Sequence, residues 1–134
     1  MTVKILWVSR HPPLPAQILE LKRKFGDVEV VHFSGRVPDA DFVVHLAEEV
    51  GAQIVVPVLP LSIIAAILNS SKNLVILYAQ MREVHKGPRG ECERAAREKP
   101  DRRVVVEYAG GVCRVFEFVR FERVKAVKLE TEPL

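Results

Sequence analysis

The sequence predicts an α/β domain built on a mostly parallel sheet, and three observations predict it. Short runs of β-branched residues carry apolar side chains on both faces, stretches of helical periodicity separate them, and proline or glycine marks most changeovers. A strand that is apolar on both faces needs cover on both, and helical crossovers between parallel strands supply it.

Val3–Val8 reads as the first strand, stopped by the prolines at 12, 13 and 15. Pro15 suits the first turn of a helix, where its missing N–H costs nothing. Ile18, Leu21, Lys22 and Phe25 then follow helical spacing to Gly26, giving a helix over 15–25. Val28–Phe33 reads as the second strand. Ser34-Gly35-Arg36-Val37-Pro38 breaks it, and Asp39 offers an N-cap. Phe42, Val43, Leu46, Ala47 and Val50 share one helical face that ends at Gly51. Gln53–Leu59 is a third strand, Pro60–Asn69 a helix apolar nearly all round, and Asn73–Ala79 a fourth strand. The order β-α-β-α-β-α-β predicts a Rossmann-like sheet with helices on both faces, and leaves open which doubly wound strand order it takes.

Beyond Ala79 the composition turns polar. Residues 80–103 read as a basic loop with one short helix near Cys92–Lys99. Val104–Ala109 and Val112–Phe121 flank Gly110-Gly111, which predicts a hairpin with a two-residue turn and Glu107 opposite Arg114. From Phe121 to Leu129 no turn residue intervenes, so a bent continuation of the strand is expected. The expected organisation is one α/β domain over 1–134: a parallel core at 1–79, the basic loop at 80–103, and an antiparallel strand pair at 104–130. At the level of organisation alone the chain resembles the small Rossmann-like sensor domains that bind cyclic oligonucleotides, and the resemblance implies a nucleotide-like ligand.

At 134 residues the chain can bury a core without disulfides or metal. No apolar run is long enough to span a bilayer, and no small-residue cleavage site follows the first apolar stretch, so a cytoplasmic protein is expected. Cys92 and Cys113 form neither a metal knuckle nor a disulfide framework by spacing, which leaves a single 92–113 bridge open. Few Asn, Gln, Met and Cys beside many Arg, Lys and Glu lean toward a thermophile source. The net charge of +3 lies in residues 80–103, which hold eight Lys/Arg against five Asp/Glu, while the rest of the chain balances at twelve each.

In open parallel sheets ligands bind beyond the C-terminal ends of the strands. The loops there hold Ser9, Arg10 and His11, then Ser34 and Arg36, then Ser62, and after the fourth strand Arg82. Arginine and serine are suited to phosphate or carboxylate, arginine by a bidentate fork. The first loop lacks G-x-G-x-x-G and any Walker pattern, so no dinucleotide cofactor is expected and an anion would be held by side chains. No pair of ligand motifs predicts a metal. The expected function is therefore a ligand-binding or sensor module, a homodimer that takes a nucleotide or other anionic ligand. Two alternatives stand beside it. One is a small hydrolase or nuclease with His11 as acid or base. The other is a nucleic-acid-binding protein using the 82–103 loop with Arg114, Arg120, Arg123, Lys125 and Lys128, among which Glu117, Glu122 and Glu130 are interleaved.

Overall fold

The computed structural model describes residues 1–71, 73–128 and 130–134. Among them the chain runs β1 (Val3–Val8), α1 (Pro15–Phe25), β2 (Val28–Phe33), α2 (Ala40–Val50), β3 (Ile54–Pro57), α3 (Leu61–Ser70), β4 (Val75–Pro88), α4 (Arg89–Glu98), β5 (Arg103–Glu107) and β6 (Val112–Arg123). The result is a mixed α/β structure with four helices and a six-stranded, mostly parallel sheet in the order β2-β1-β3-β4-β6-β5. The chain divides into two compact units. The first holds Met1–Pro12, Val28–Tyr78 and Glu122–Leu134, and the second holds Pro13–Asp27 and Ala79–Phe121.

In the first unit β1 is hydrogen-bonded on both edges, pairing in parallel with β2 (Val3↔Val28 to Val8↔Phe33) and with β3 (Ile5↔Ile54 to Val8↔Pro57). Ile5, Leu6, Trp7 and Val8 are all buried, as are all four residues of β3, which fits the two-sided apolar pattern of the sequence. One face of this sheet carries α2 and α3. Ala40, Val43 and Ala47 of the first helix and Ile64 and Ile67 of the second pack with Leu6, Val8, Val55 and Ile76. Each large aliphatic side chain buried here contributes roughly 1.5–3 kcal/mol. The ends of α2 are those read from the sequence. The Asp39 carboxylate accepts from the Phe42 amide at 2.9 Å, and Gly51 takes the left-handed conformation that closes the helix. β3 is shorter than expected, because after the Val58 amide bonds the Val8 carbonyl at 2.8 Å the chain leaves the ladder toward Pro60.

The second unit departs more from expectation. β4 does not stop at Ala79 but continues to Pro88, so residues 80–88 of the expected basic loop are strand, and α4 begins at Arg89, earlier than Cys92. The polar residues of 80–88 show no apolar alternation that would announce a strand. They are accommodated in one because their charges meet partners: Arg82 pairs with Glu117 at 2.7 Å and Glu83 with Arg114 at 3.3 Å. β5 and β6 form the expected antiparallel pair, with a register displaced by one residue. Glu107 faces Cys113 and Val106 faces Arg114. The connection is the three residues Ala109, Gly110 and Gly111, closed by a 2.9 Å bond from the Tyr108 amide to the Val112 carbonyl, and both glycines take positive φ (84° and 74°). Glu107 consequently pairs with Arg89 at 3.1 Å, while the Arg114 guanidinium lies 4.9 Å from the Tyr108 ring centroid. β6 ends at Arg123, and Leu129, the end of the expected continuation, lies outside the described residues.

Cys92 and Cys113 are joined in a disulfide that ties α4 to β6. The two buried half-cystines pack with Val115, Val84, Ala95, Ala96 and Val105. α4 has no other fully buried side chain, so the bridge substitutes for the apolar face that a ten-residue polar helix lacks. Helix α1 is held by main-chain and side-chain contacts within the same unit. Gln17 accepts from the Leu14 amide at 2.7 Å, the Ala16 amide donates to the Asp101 carbonyl at 3.0 Å, and Leu21 is fully buried.

Two substitutions test these two cores. Replacing both cysteines with alanine removes a cross-link that spans 21 positions and is expected to lower stability by about 3 kcal/mol. Leu6→Ala, at a fully buried site of the first unit, is expected to cost about 3 kcal/mol. Urea denaturation of the full chain, read by circular dichroism, measures both.

Candidate functional site

The loops that follow β1, β2 and β3 begin side by side. Val8 is in register with Phe33 on one edge and with Pro57 on the other, so Ser9, Ser34 and Val58 leave the sheet from neighbouring strands about 5 Å apart. Main-chain bonds extend the pairing one residue beyond the ladder. The Ser9 amide donates to the Phe33 carbonyl at 3.1 Å, and the Val58 amide donates to the Val8 carbonyl. With β1 between β2 and β3, this is the point where the sheet order reverses, and the first two crossovers leave in opposite directions.

His32 contributes a contact that the sequence did not announce. Its Nε2 lies 2.7 Å from the Ser9 carbonyl oxygen. A carbonyl can only accept, so Nε2 carries the proton and the ring clasps the Ser9 turn to β2. The turn is also closed on itself, with the His11 amide donating to Ser9 Oγ at 3.3 Å. On the neighbouring loop, Gly35 lies against the Phe33 ring, where a Cβ would come within 2.8 Å of the ring tip. That ring is backed by Phe42 at 5.3 Å between centroids, so glycine is what lets the 34–36 loop sit down.

Ser9, Arg10, His11, Ser34 and Arg36 therefore fall on two adjoining loops, and Ser62 lies in the first turn of α3 in the same unit. Arg10, His11, Ser34, Arg36 and Ser62 are exposed, and Ser9 is half-buried. Among the described residues the side chains of Arg10, His11 and Arg36 make no hydrogen bond or ion pair. Among the described residues no carboxylate or hydroxyl that would make His11 part of a catalytic pair contacts its ring.

Arg82 lies elsewhere. It belongs to the second unit, inside β4 and not in a loop beyond a strand end, and its guanidinium is held by Glu117. Glu117 is only 5 % exposed, and its two oxygens meet Arg82 at 2.7 Å, Arg103 at 3.2 Å and Lys99 at 3.4 Å. Burial by itself pushes this carboxyl's pKa up. The hydrogen bonds from Arg82 and Arg103 and the charge of Lys99 outweigh that effect and hold it below the usual glutamate value. The signal was present in the sequence, since Cys113, Val115 and Glu117 share the inward face of β6 at period two. Four of the eight Lys and Arg residues in 80–103, namely Arg82, Arg89, Lys99 and Arg103, meet carboxylates. Arg89 meets Glu93 and Glu107, and Arg103 also meets Glu98.

Among the described residues, no group of three or more His, Cys, Asp or Glu could hold a metal ion, and no helix is long and apolar enough to cross a membrane. Comparison of the chain with protein-family models, with curated proteins and with solved structures returned no match.

The lowered pKa of Glu117 has a signed consequence. A carboxylate depressed in the folded state adds stability that is present above its unfolded pKa and is lost as pH falls through the folded one. Glu117→Gln is expected to cost about 2 kcal/mol at neutral pH. Urea melts at a series of pH values should show the gap between wild type and variant closing below about pH 4.

Proposed function

We propose that the chain is a binding module for a phosphate-bearing ligand, a nucleotide or cyclic oligonucleotide, held at the C-terminal ends of β1, β2 and β3 in a Rossmann-like sheet. The observation that carries this reading is the in-register exit of the Ser9–His11 and Ser34–Arg36 loops, with Arg10 and Arg36 on loops of adjoining strands and without carboxylate partners among the described residues. Arginines on two loops that leave neighbouring strands can close on one phosphate from two sides, each by charge-assisted hydrogen bonds. Ser9, Ser34 and Ser62 supply hydroxyl donors beside them, and His11 adds a ring nitrogen. The prolines at 12 and 13 remove main-chain donors from the first loop, which agrees with recognition by side chains in place of a glycine cradle. Arg82 is not included, because its charge is engaged by Glu117.

Binding is favoured over hydrolysis because, among the described residues, the His11 ring is contacted by no orienting carboxylate and by no hydroxyl, the Ser9 hydroxyl being engaged by the His11 main-chain amide. The nucleic-acid reading of residues 82–103 is weakened by the ion pairs that occupy Arg82, Arg89, Lys99 and Arg103.

Thermal-shift and calorimetric titrations with mononucleotides, cyclic oligonucleotides and inorganic phosphate test the proposal. At least one is expected to raise the melting temperature, with Arg10→Ala and Arg36→Ala each weakening binding tenfold or more. The reading is overturned if no compound shifts the melt, or if both variants bind as the wild type does. Product formation that is lost in His11→Ala while binding persists would replace it with the hydrolase reading.

A further inference from the structure

The first unit carries a second concavity. It is an open groove of about 680 Å³, bounded by α3, by Tyr78 and by residues 122–128, the last two of β6 and the five that follow. That volume is in the ~300–1,000 Å³ span of ordinary ligand grooves. Its floor is apolar. Leu61 and Ile64 stand one helical turn apart on the same face of α3, and Leu61 remains 63 % exposed although leucine in this helix would be expected in the core. Tyr78 is 46 % exposed beside them.

The rim has the opposite character. Arg123, Lys125 and Lys128 line it together with a single carboxylate, that of Glu122. Among the described residues none of these three cations has an ion-pair or hydrogen-bond partner, whereas Arg82, Arg89, Lys99, Arg103 and Arg114 of the second unit are all paired. An apolar floor edged by unpaired positive charge is complementary to a segment that alternates apolar anchors with carboxylates.

We infer that this groove docks an acidic amphipathic peptide segment of a partner protein, with the anchors seated on Leu61 and Tyr78 and the carboxylates on Arg123, Lys125 and Lys128. A single-stranded nucleic acid fits less well. Grooves for single strands present successive aromatic platforms for successive bases, and this one offers one ring among aliphatic side chains. The groove shares no named residue with the anion site at Ser9–His11 and Ser34–Arg36, so either assignment can fail alone.

The test is a selection from a random peptide display library on the immobilised full chain, followed by fluorescence anisotropy with the enriched peptides. Enriched sequences are expected to hold two or more apolar residues three or four positions apart with acidic residues between them. Lys125→Glu combined with Lys128→Glu, and separately Leu61→Ser, are expected to weaken the selected peptides at least tenfold while leaving the melting temperature within a few degrees. All three positions are exposed, so loss of folding is not the expected cause. The inference is overturned if no peptides enrich, if those that do lack acidic residues, or if the charge-reversed variant binds them unchanged. A labelled oligothymidylate serves as the other arm. Binding of it that is lost in the same variants, with no acidic peptide enriched, assigns the groove to nucleic acid and overturns the peptide reading.

Discussion

A strand that is hydrogen-bonded along both edges and buried on both faces has only its ends left to offer, and β1 is such a strand. Its six residues pair with β2 on one side and its later residues with β3 on the other, while Ile5 through Val8 are withdrawn from water. Every polar or charged side chain that follows must therefore emerge at Ser9 or beyond. The register that satisfies the main chain of β1 also decides which loops meet there. Shifting it by one residue would turn Leu6 and Val8 away from the α2 and α3 face on which they pack.

The two units handle positive charge in different ways. In the second, Glu117 is buried at the cost of its hydration, and Arg82, Arg103 and Lys99 gather on it because a buried carboxylate without partners would be costly. Arginines there serve as structural donors, and Arg103 also reaches the Ala95 carbonyl at 2.8 Å to hold the end of α4. In the first, Arg10, Arg36, Arg123, Lys125 and Lys128 have no such employment among the described residues. Four of the eight cations in residues 80–103 are thus engaged by carboxylates, and net charge alone does not say which cations are free.

Legibility followed the range of the interactions. Elements whose boundaries are fixed by their own residues were read to the residue: β1, α1, β2 and α2, with Pro15 at one helix start, Asp39 at another, and Gly51 at a stop. Elements fixed by distant partners were not. The extension of β4 to Pro88 depends on charges on β6, more than thirty positions away for the Arg82–Glu117 pair. The hairpin was visible in Gly110-Gly111, but whether two or three residues make the turn depends on strand pairing that composition does not encode. For the candidate site, the loops could be named from strand ends, whereas the His32 clasp on Ser9 and the removal of Arg82 by Glu117 needed the third dimension. Which side chain of α3 stays in solvent was not legible, because a helix apolar nearly all round fits a buried core or a partly exposed face equally well.

The Cys92–Cys113 bridge encloses the end of α4, all of β5 and the glycine loop in a covalent ring. The exposed Ala109–Gly111 loop inside that ring is the kind of site a protease cuts first. A cut there would add one water and sever the backbone without releasing either piece, so the nicked chain would remain a single covalent molecule until a reductant opened the ring. The same bond that compensates for a helix with little apolar surface thus makes the hairpin tip a place where the polypeptide can be broken and still hold together.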